Sequence, residues 1–211
     1  MRYRFAKLSD LKSIVNLHYS VREDYNVGVF ASLDKNFLKG YYKMLLTDVN
    51  SIIVCAEDNS KILGFCSASL DVNDQHENFK KKKLNIALYA FTSVLKKPSL
   101  IKKLLLRYKS IKDDNINFIS KSGARLEYWV WSKKNEDFVS SLYMHETLLN
   151  ILQALGIMEV NFEVDHINKK VLKFHKRNGG IEIEKITISD NRERILMKYD
   201  FNNRVTKFNF N

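Results

Sequence analysis

The order of apolar periodicities restricts this chain more than any other feature of its sequence. Residues Tyr3–Leu8 alternate with period two, and Ser9-Asp10 then offers an N-cap for a helix through LKSIVNLHYSVRE. Leu11, Ile14, Val15, Leu17 and His18 fall on or near one face of that helix. Asp34-Lys35 opens a second helix, NFLKGYYKMLL, with Phe37, Leu38, Tyr41, Tyr42 and Leu45 as its stripe. Two strands follow, SIIVCAE and ILGFCSASLD, and the polar turn Asp58-Asn59-Ser60-Lys61 between them marks a hairpin. After a long segment comes an apolar strand, RLEYWVWS, then a helix over Ser140–Leu155 that Gly156 terminates. MEVNFEVD reads as a strand, Asn168–Arg177 as a helix closed by Gly179-Gly180, and IEIEKITI and RILMKYDF as final strands. This order predicts an α/β fold: one mixed central sheet with helices on both faces, its parallel crossovers right-handed.

At 211 residues and 45% hydrophobic content, the chain is expected to form one domain over residues 1–211 with a sizeable core. The segment 72–123 interrupts the α/β order as an insert. Within it the pattern predicts amphipathic helices over Lys83–Lys96 and Leu100–Ser110, separated by Pro98. Ile86, Leu88, Phe91, Val94 and Leu95, then Ile101, Leu104, Leu105 and Tyr108, are their apolar members. The net charge of +11 also belongs here. Eleven of the 35 Lys and Arg residues lie between Lys80 and Lys112 without an acidic residue, and the remaining 24 balance the 24 acidic ones. No apolar run reaches the roughly 18 residues of a membrane span, and the N-terminus lacks a signal-peptide pattern. Cys55 and Cys66 each sit in an apolar strand and read as reduced core residues of a cytoplasmic protein. There is no repeat and no metal-spaced His/Cys cluster.

Three segments resemble the GNAT N-acyltransferase superfamily. IIVCAEDNSKILGFCSASLD looks like its third strand, turn and fourth strand region. EYWVWS followed by SSLYMHETLLNILQALG takes the place of the acyl-CoA strand, pyrophosphate loop and helix. VDHINKKVLKFHKRNGG matches the spacing of V-x-x-x-N-x-x-A-x-x-F-Y-x-x-x-G-F, the most specific of the three. The stretch VFASLDKNFLKGYYKMLL, with a long insert before the acyl-CoA strand, resembles a GNAT subgroup of bacterial surface-polysaccharide gene clusters, several of whose enzymes acylate a nucleotide-linked amino sugar. The chain departs from the family at the pyrophosphate loop. There Ser140, Ser141, Leu142, Tyr143, Met144 and His145 contain no glycine, and the connection from Trp131 is several residues longer.

The resemblance implies an acyl-CoA co-substrate and no metal. A helix N-terminus at Ser140 would present backbone N–H groups to the diphosphate, with hydroxyls from Ser140 and Ser141, whose plain alternative is to cap the helix. Backbone groups at Val130, Trp131 and Ser132 would polarise the thioester carbonyl, while those side chains pack in the core. Asn168 would bind the pantetheine amide or cap its helix, with Phe174 beside it. The attacking amine must lose a proton, and Glu127, flanked by apolar residues, is the favoured base over Glu163 and Glu23; a solvent-facing carboxylate is the plain alternative. His175 stands where the family has tyrosine, as acid for the departing thiolate or as a surface histidine. For the acceptor, His18, Tyr19, Arg22, Tyr25, Phe30 and Ser32 are the expected contacts, each also able to serve as scaffold.

The acceptor implied is a dTDP- or UDP-linked amino sugar, with a protein, peptide or small-molecule amine as the other reading and a non-catalytic acyl-CoA-binding module as a third. The acyl group is acetyl or a short hydroxyacyl chain shaped by Phe30 and the insert. The basic insert suits a solvated face packed on the sheet or on a second subunit of a homodimer, an anionic-substrate channel, or peripheral membrane contact through residues 80–112. Nucleic acid is disfavoured, because the insert lacks the interleaved aromatic platform of single-strand binders and no helix-turn-helix or zinc pattern occurs.

Overall fold

The computed structural model describes residues 1–22, 34–82, 123–187 and 192–208, with positions 88, 89, 91, 94, 95, 98 and 101 between. Seven strands, β1 (Arg2–Phe5), β2 (Ser51–Asp58), β3 (Lys61–Ser69), β4 (Ala124–Trp131), β5 (Glu159–Asp165), β6 (Ile181–Thr187) and β7 (Glu193–Asp200), form one sheet in the order β1-β2-β3-β4-β5-β7-β6. Every neighbouring pair is antiparallel except β4 and β5. The described helices are α1 (Leu11–Val21), α2 (Lys35–Leu46), α3 (Val72–Lys81), α4 (Phe138–Ala154) and α5 (Lys169–Arg177).

The period-two rule explains how one sheet carries two cores. Along β2, Ile52, Val54 and Ala56 face a core completed by Met144, Leu148, Leu149 and Leu152 of α4 and Leu172 of α5. Ile53 and Cys55 face the opposite core, with Ile14, Leu17 and Val21 of α1 and Phe37, Leu38, Tyr42 and Leu45 of α2. The mixed sheet covered on both faces is therefore as expected. At the β2–β3 hairpin, Asp58 pairs with Lys61, and Asn59 and Ser60 take φ of 45° and 62°. Two left-handed central residues match the right-handed strand twist.

Helix starts follow local chemistry more closely than the sequence suggested. The Asp34 carboxylate caps α2 by accepting the Phe37 N–H at 3.1 Å. Asp10 does not cap α1. A 3-10 turn, Leu8–Asp10, precedes that helix, and the Asp10 carboxylate accepts from the Lys7 N–H at 2.7 Å and the Arg4 guanidinium at 2.7 and 3.0 Å. The first strand stops at Phe5, short of Leu8. Helix α4 begins at Phe138, two residues before the expected Ser140.

The insert enters and leaves the sheet at one point. Asp71 caps α3 through the N–H groups of Asn73 (2.8 Å) and Asp74 (3.1 Å), and its other oxygen accepts the Gly123 N–H at 2.9 Å. The Val72 N–H donates to the Gly123 carbonyl at 3.0 Å, closing the neck. The helices expected over Lys83–Lys96 and Leu100–Ser110 lie outside the described residues, apart from the isolated positions named above.

Candidate active site

Strands β4 and β5 pair only where they begin, at Ala124↔Val160 and Arg125↔Asn161. From Leu126 onward β4 leaves the ladder, and a cleft opens between two parallel strands. A bulge lies at the point of departure. Cys66 pairs with Trp129 and Ala68 with Leu126, so Glu127 and Tyr128 together oppose Ser67. The Ser67 hydroxyl accepts the Tyr128 N–H at 3.3 Å. An extra residue bends a strand and raises its twist, which carries β4 away from β5. It also resets the alternation: Ala124, Leu126, Trp129 and Trp131 face the α4 core, whereas Tyr128 and Val130 face the α1–α2 core.

Glu127 sits at this divergence with its side chain 5% exposed. Oε1 is 3.4 Å from the Arg125 guanidinium, and Oε2 is buried without a hydrogen-bond partner among the described residues. Burial pushes its carboxyl above the ordinary carboxylate range, opposed by Arg125 and by the nearby Gln75 amide, and reinforced by the charge of Asp48. Tyr41 and Tyr42 of α2 also face it. The plain reading of Glu127 as a solvent-facing strand residue does not hold. Glu163 is engaged with Arg194 at 2.5 Å, and Glu23 lies outside the described residues.

On the same face, the His18 Nδ1 meets the Tyr42 hydroxyl at 2.5 Å, and its ring lies 5.2 Å from that of Tyr128. Burial drives the His18 pKa down to about 4, so it is neutral near pH 7. Tyr19 carries the Arg22 guanidinium 3.4 Å above its ring, and Arg22 also donates to the Tyr19 carbonyl at 2.6 Å. Of the expected acceptor contacts, His18 packs against Tyr42 and Tyr128, and Tyr19 and Arg22 contact each other; Tyr25, Phe30 and Ser32 lie outside the described residues.

The other side of the cleft is aromatic. The Trp129 ring lies 4.7 Å from His145, 5.0 Å from Phe174 and 5.8 Å from His175, so β4, α4 and α5 meet through side chains. His175 is 4% exposed, and its Nδ1 lies 2.7 Å from the Tyr199 hydroxyl. It is not a surface histidine, and burial pushes its pKa down to about 3. An imidazolium able to protonate a thiolate is therefore absent near neutral pH. His145 is equally enclosed, with Nδ1 lacking a partner among the described residues, and burial and neighbouring His175 keep it neutral.

The expected diphosphate cradle differs from the sequence reading. The Asp137 carboxylate caps α4, accepting the Ser140 N–H at 3.0 Å and the Ser140 hydroxyl at 2.5 Å. The Phe138 N–H donates to the Glu136 carbonyl at 2.9 Å. First-turn donors that would meet an anion thus already serve the protein, and an aspartate stands among them. Ser141 accepts the Trp129 Nε1–H at 2.9 Å instead of facing outward. Leu142 and Tyr143 are half-buried, Met144 is core, and the Tyr143 carbonyl accepts the Thr147 hydroxyl at 2.8 Å. Val130 is buried, Trp131 donates to the Asn135 carbonyl at 3.3 Å, and the Ser132 N–H donates to Leu63 at 2.8 Å, which removes Ser132 as a backbone donor to a thioester. Asn168 caps α5 by accepting the Val171 N–H at 3.3 Å. Asp137 was missed although an aspartate before an apolar run is an ordinary helix-start signal.

No family model matches the chain, and no curated protein sequence does. Solved structures do. It superposes on a ribosomal-protein-alanine N-acetyltransferase from Brucella melitensis with a TM-score of 0.60 and 9% identity, over 95% of this chain and 99% of that one. A paiA N-acetyltransferase from Thermoplasma acidophilum in complex with coenzyme A gives 0.55 and 11%, over 95% and 99%. A GNAT-family acetyltransferase from Streptococcus pneumoniae gives 0.54 and 13%, over 94% and 98%. The fold is that of the GNAT acetyltransferases. The segment that joins β3 to β4 has its neck at Asp71 and Gly123. Among the described residues no group of three or more His, Cys, Asp or Glu is placed to hold a metal ion, and no helix is long and apolar enough to cross a membrane.

Proposed function

We propose that this chain is an acyl-CoA-dependent N-acyltransferase that passes an acyl group directly from a thioester to an amine. The observation that carries this reading is the departure of β4 from β5 at Leu126, with the buried carboxylate of Glu127 beside the opening. The pantetheine arm of acyl-CoA suits the edge of β4 released from the ladder, because an extended amide chain can hydrogen-bond there as a strand would. The diphosphate suits this chain less well, since Asp137 occupies the α4 N-terminus.

In the proposed reaction Glu127 takes the proton of the acceptor ammonium, and the neutral nitrogen attacks the thioester carbonyl. The C–N bond forms, the C–S bond breaks, the second proton shed by the nitrogen passes through solvent to the departing thiolate sulfur, and Glu127 returns its proton to solvent. His175 contributes as a neutral ring fixing Tyr199. The acceptor proposed is the amine of a dTDP- or UDP-linked amino sugar used in surface polysaccharide, supported by the subgroup layout and by an insert whose eleven cations between Lys80 and Lys112 suit a diphosphate. The acyl group is acetyl or a short hydroxyacyl, and the setting is cytoplasmic, consistent with the buried, unbridged Cys55 and Cys66. Asp137 favours one competing reading, a fold-mate that has lost productive CoA binding.

Native mass spectrometry with CoA, acetyl-CoA and single dTDP- or UDP-amino sugars, combined with thiol release, tests the reading. Binding of both substrates and an acylated sugar is expected, and Glu127→Gln should slow release by about 10²–10⁴-fold while CoA still binds. Absence of any CoA complex would refute the acyltransferase reading.

A further inference from the structure

Glu127 is held by more than the sheet and the tyrosines. Helix α3, which opens the insert, places Gln75 beside it, 1% exposed. A glutamine Nε2 carries two protons. One of them goes to the Ser51 hydroxyl at 3.0 Å. Ser51 donates onward to Asp48 Oδ2 at 2.8 Å, and Asp48 Oδ1 accepts the Asn78 amide at 2.8 Å. Gln75 and Asn78 are three apart and share one face of α3. Both ends of the helix face are thereby tied to one buried carboxylate, Asp48, which is 8% exposed.

This chain of hydrogen bonds leaves the second Nε2 proton of Gln75 over, and it leaves Glu127 Oε2 without a partner. A buried oxygen in that state is costly unless a donor or a substrate meets it. The insert is also pinned to α2 next to the same cluster. A Cβ on Gly40 would lie 2.0 Å from the Tyr89 ring, so only glycine allows the insert this close beside Tyr41. The neck at Asp71 and Gly123 fixes the other end.

We propose that the insert supplies a positioning residue to the active site: Gln75, locked by Asn78, Asp48 and Ser51, orients the Glu127 carboxylate toward the acceptor amine. The proposal rests on the reading of Glu127 as the base. Charged and titratable groups around Glu127 are Arg125 and Tyr128 from β4, Tyr41 and Tyr42 from α2, and Asp48 from the turn after α2, with His18 of α1 behind Tyr42. Of these Arg125 favours the charged carboxylate and Asp48 opposes it, as burial does; Gln75 adds to the side of Arg125. Gln75 thereby acts on proton transfer through Glu127.

The test is carboxyl-carbon NMR on the full chain labelled at glutamate Cδ, in which the resonance lost in Glu127→Gln identifies Glu127. Its titration needs no acceptor. Gln75→Leu should raise the Glu127 midpoint, because the Gln75 amide favours the charged carboxylate against the burial that opposes it. Asn78→Leu, which leaves Gln75 in place and breaks the far end of the chain, should move it the same way by less. An unmoved midpoint in the folded Asn78→Leu protein together with an unmoved or unfolded Gln75→Leu would overturn the proposal. Thiol release with acetyl-CoA separates the two ideas: undiminished turnover in Glu127→Gln removes the base, whereas the NMR shift alone decides whether Gln75 governs that carboxylate.

Discussion

Burial acts in opposite directions on the two titratable side chains that flank the β4–β5 divergence. At Glu127 it favours the protonated, neutral acid, and at His175 the deprotonated, neutral ring. Glu127 is therefore the one of the two whose change of charge is displaced upward, toward neutral pH. Turnover should fall as pH drops through a value above the ordinary carboxylate pKa, and His175→Phe should leave that limb where it is. The same substitution strips the Tyr199 hydroxyl of one partner, an expected loss of about 1 kcal/mol in a denaturant melt. Loss of an alkaline limb in His175→Phe would instead return the proton donor's role to the imidazole.

At the scale of elements, the α4 N-terminus sets stability against ligand binding. The Asp137 cap satisfies the Ser140 N–H, and removing such a cap costs about 1 kcal/mol. It also holds a negative charge, with its carboxyl kept below the usual range by Ser140, at the helix end where a diphosphate is expected. Asp137→Ala should thus lower the melting temperature yet strengthen coenzyme A binding, as calorimetric titration would read; weaker binding would mean that the diphosphate lies elsewhere. Gly64 sets the other end of the cleft. A Cβ there would lie 2.2 Å from the Trp131 ring, so Gly64→Ala should move the end of β4 and weaken coenzyme A binding several-fold, about 1 kcal/mol. Element order was legible because sheet and helix leave different apolar periods, and Glu127 could be picked out from its apolar flanks. Helix α3 was not, because VNDQHENFKK buries only Val72 and Gln75 and is set by the Asp71 cap. The engagement of Ser132, Ser140 and Ser141 was illegible too, since it depends on Leu63, Asp137 and Trp129, whose proximity only the tertiary fold supplies.

For the whole molecule, three buried neutral histidines make an acid limit to stability. Burial lowers His18 to about 4 and His175 to about 3 from an ordinary 6.5, and takes His145 well below that value. Below pH 6.5 the unfolded chain binds protons that the folded one refuses, so stability falls as pH falls, and the loss continues to the folded values. Each histidine contributes about 1.4 kcal/mol per pH unit, so three approach about 4 kcal/mol per unit once well below 6.5. That removes about 6 kcal/mol by pH 5 and about 10 kcal/mol by pH 4, so a domain in the lower part of the typical 5–15 kcal/mol range loses its native state there. Glu127 works the other way, since its raised carboxyl regains stability on protonation, but it is one group against three. The lowered carboxyls of Asp10 and Asp137 add their loss only below the ordinary aspartate value of 3.8, so the onset tells the two causes apart. The formal charge of +11 grows as acid is added, and that self-repulsion weakens in salt, whereas refusal of a proton by a buried ring does not. Thermal melts from pH 7 to pH 4 at low and high salt should show a decline that begins near pH 6 and persists in salt; a flat profile down to pH 5 would mean that these rings are not held neutral in the core.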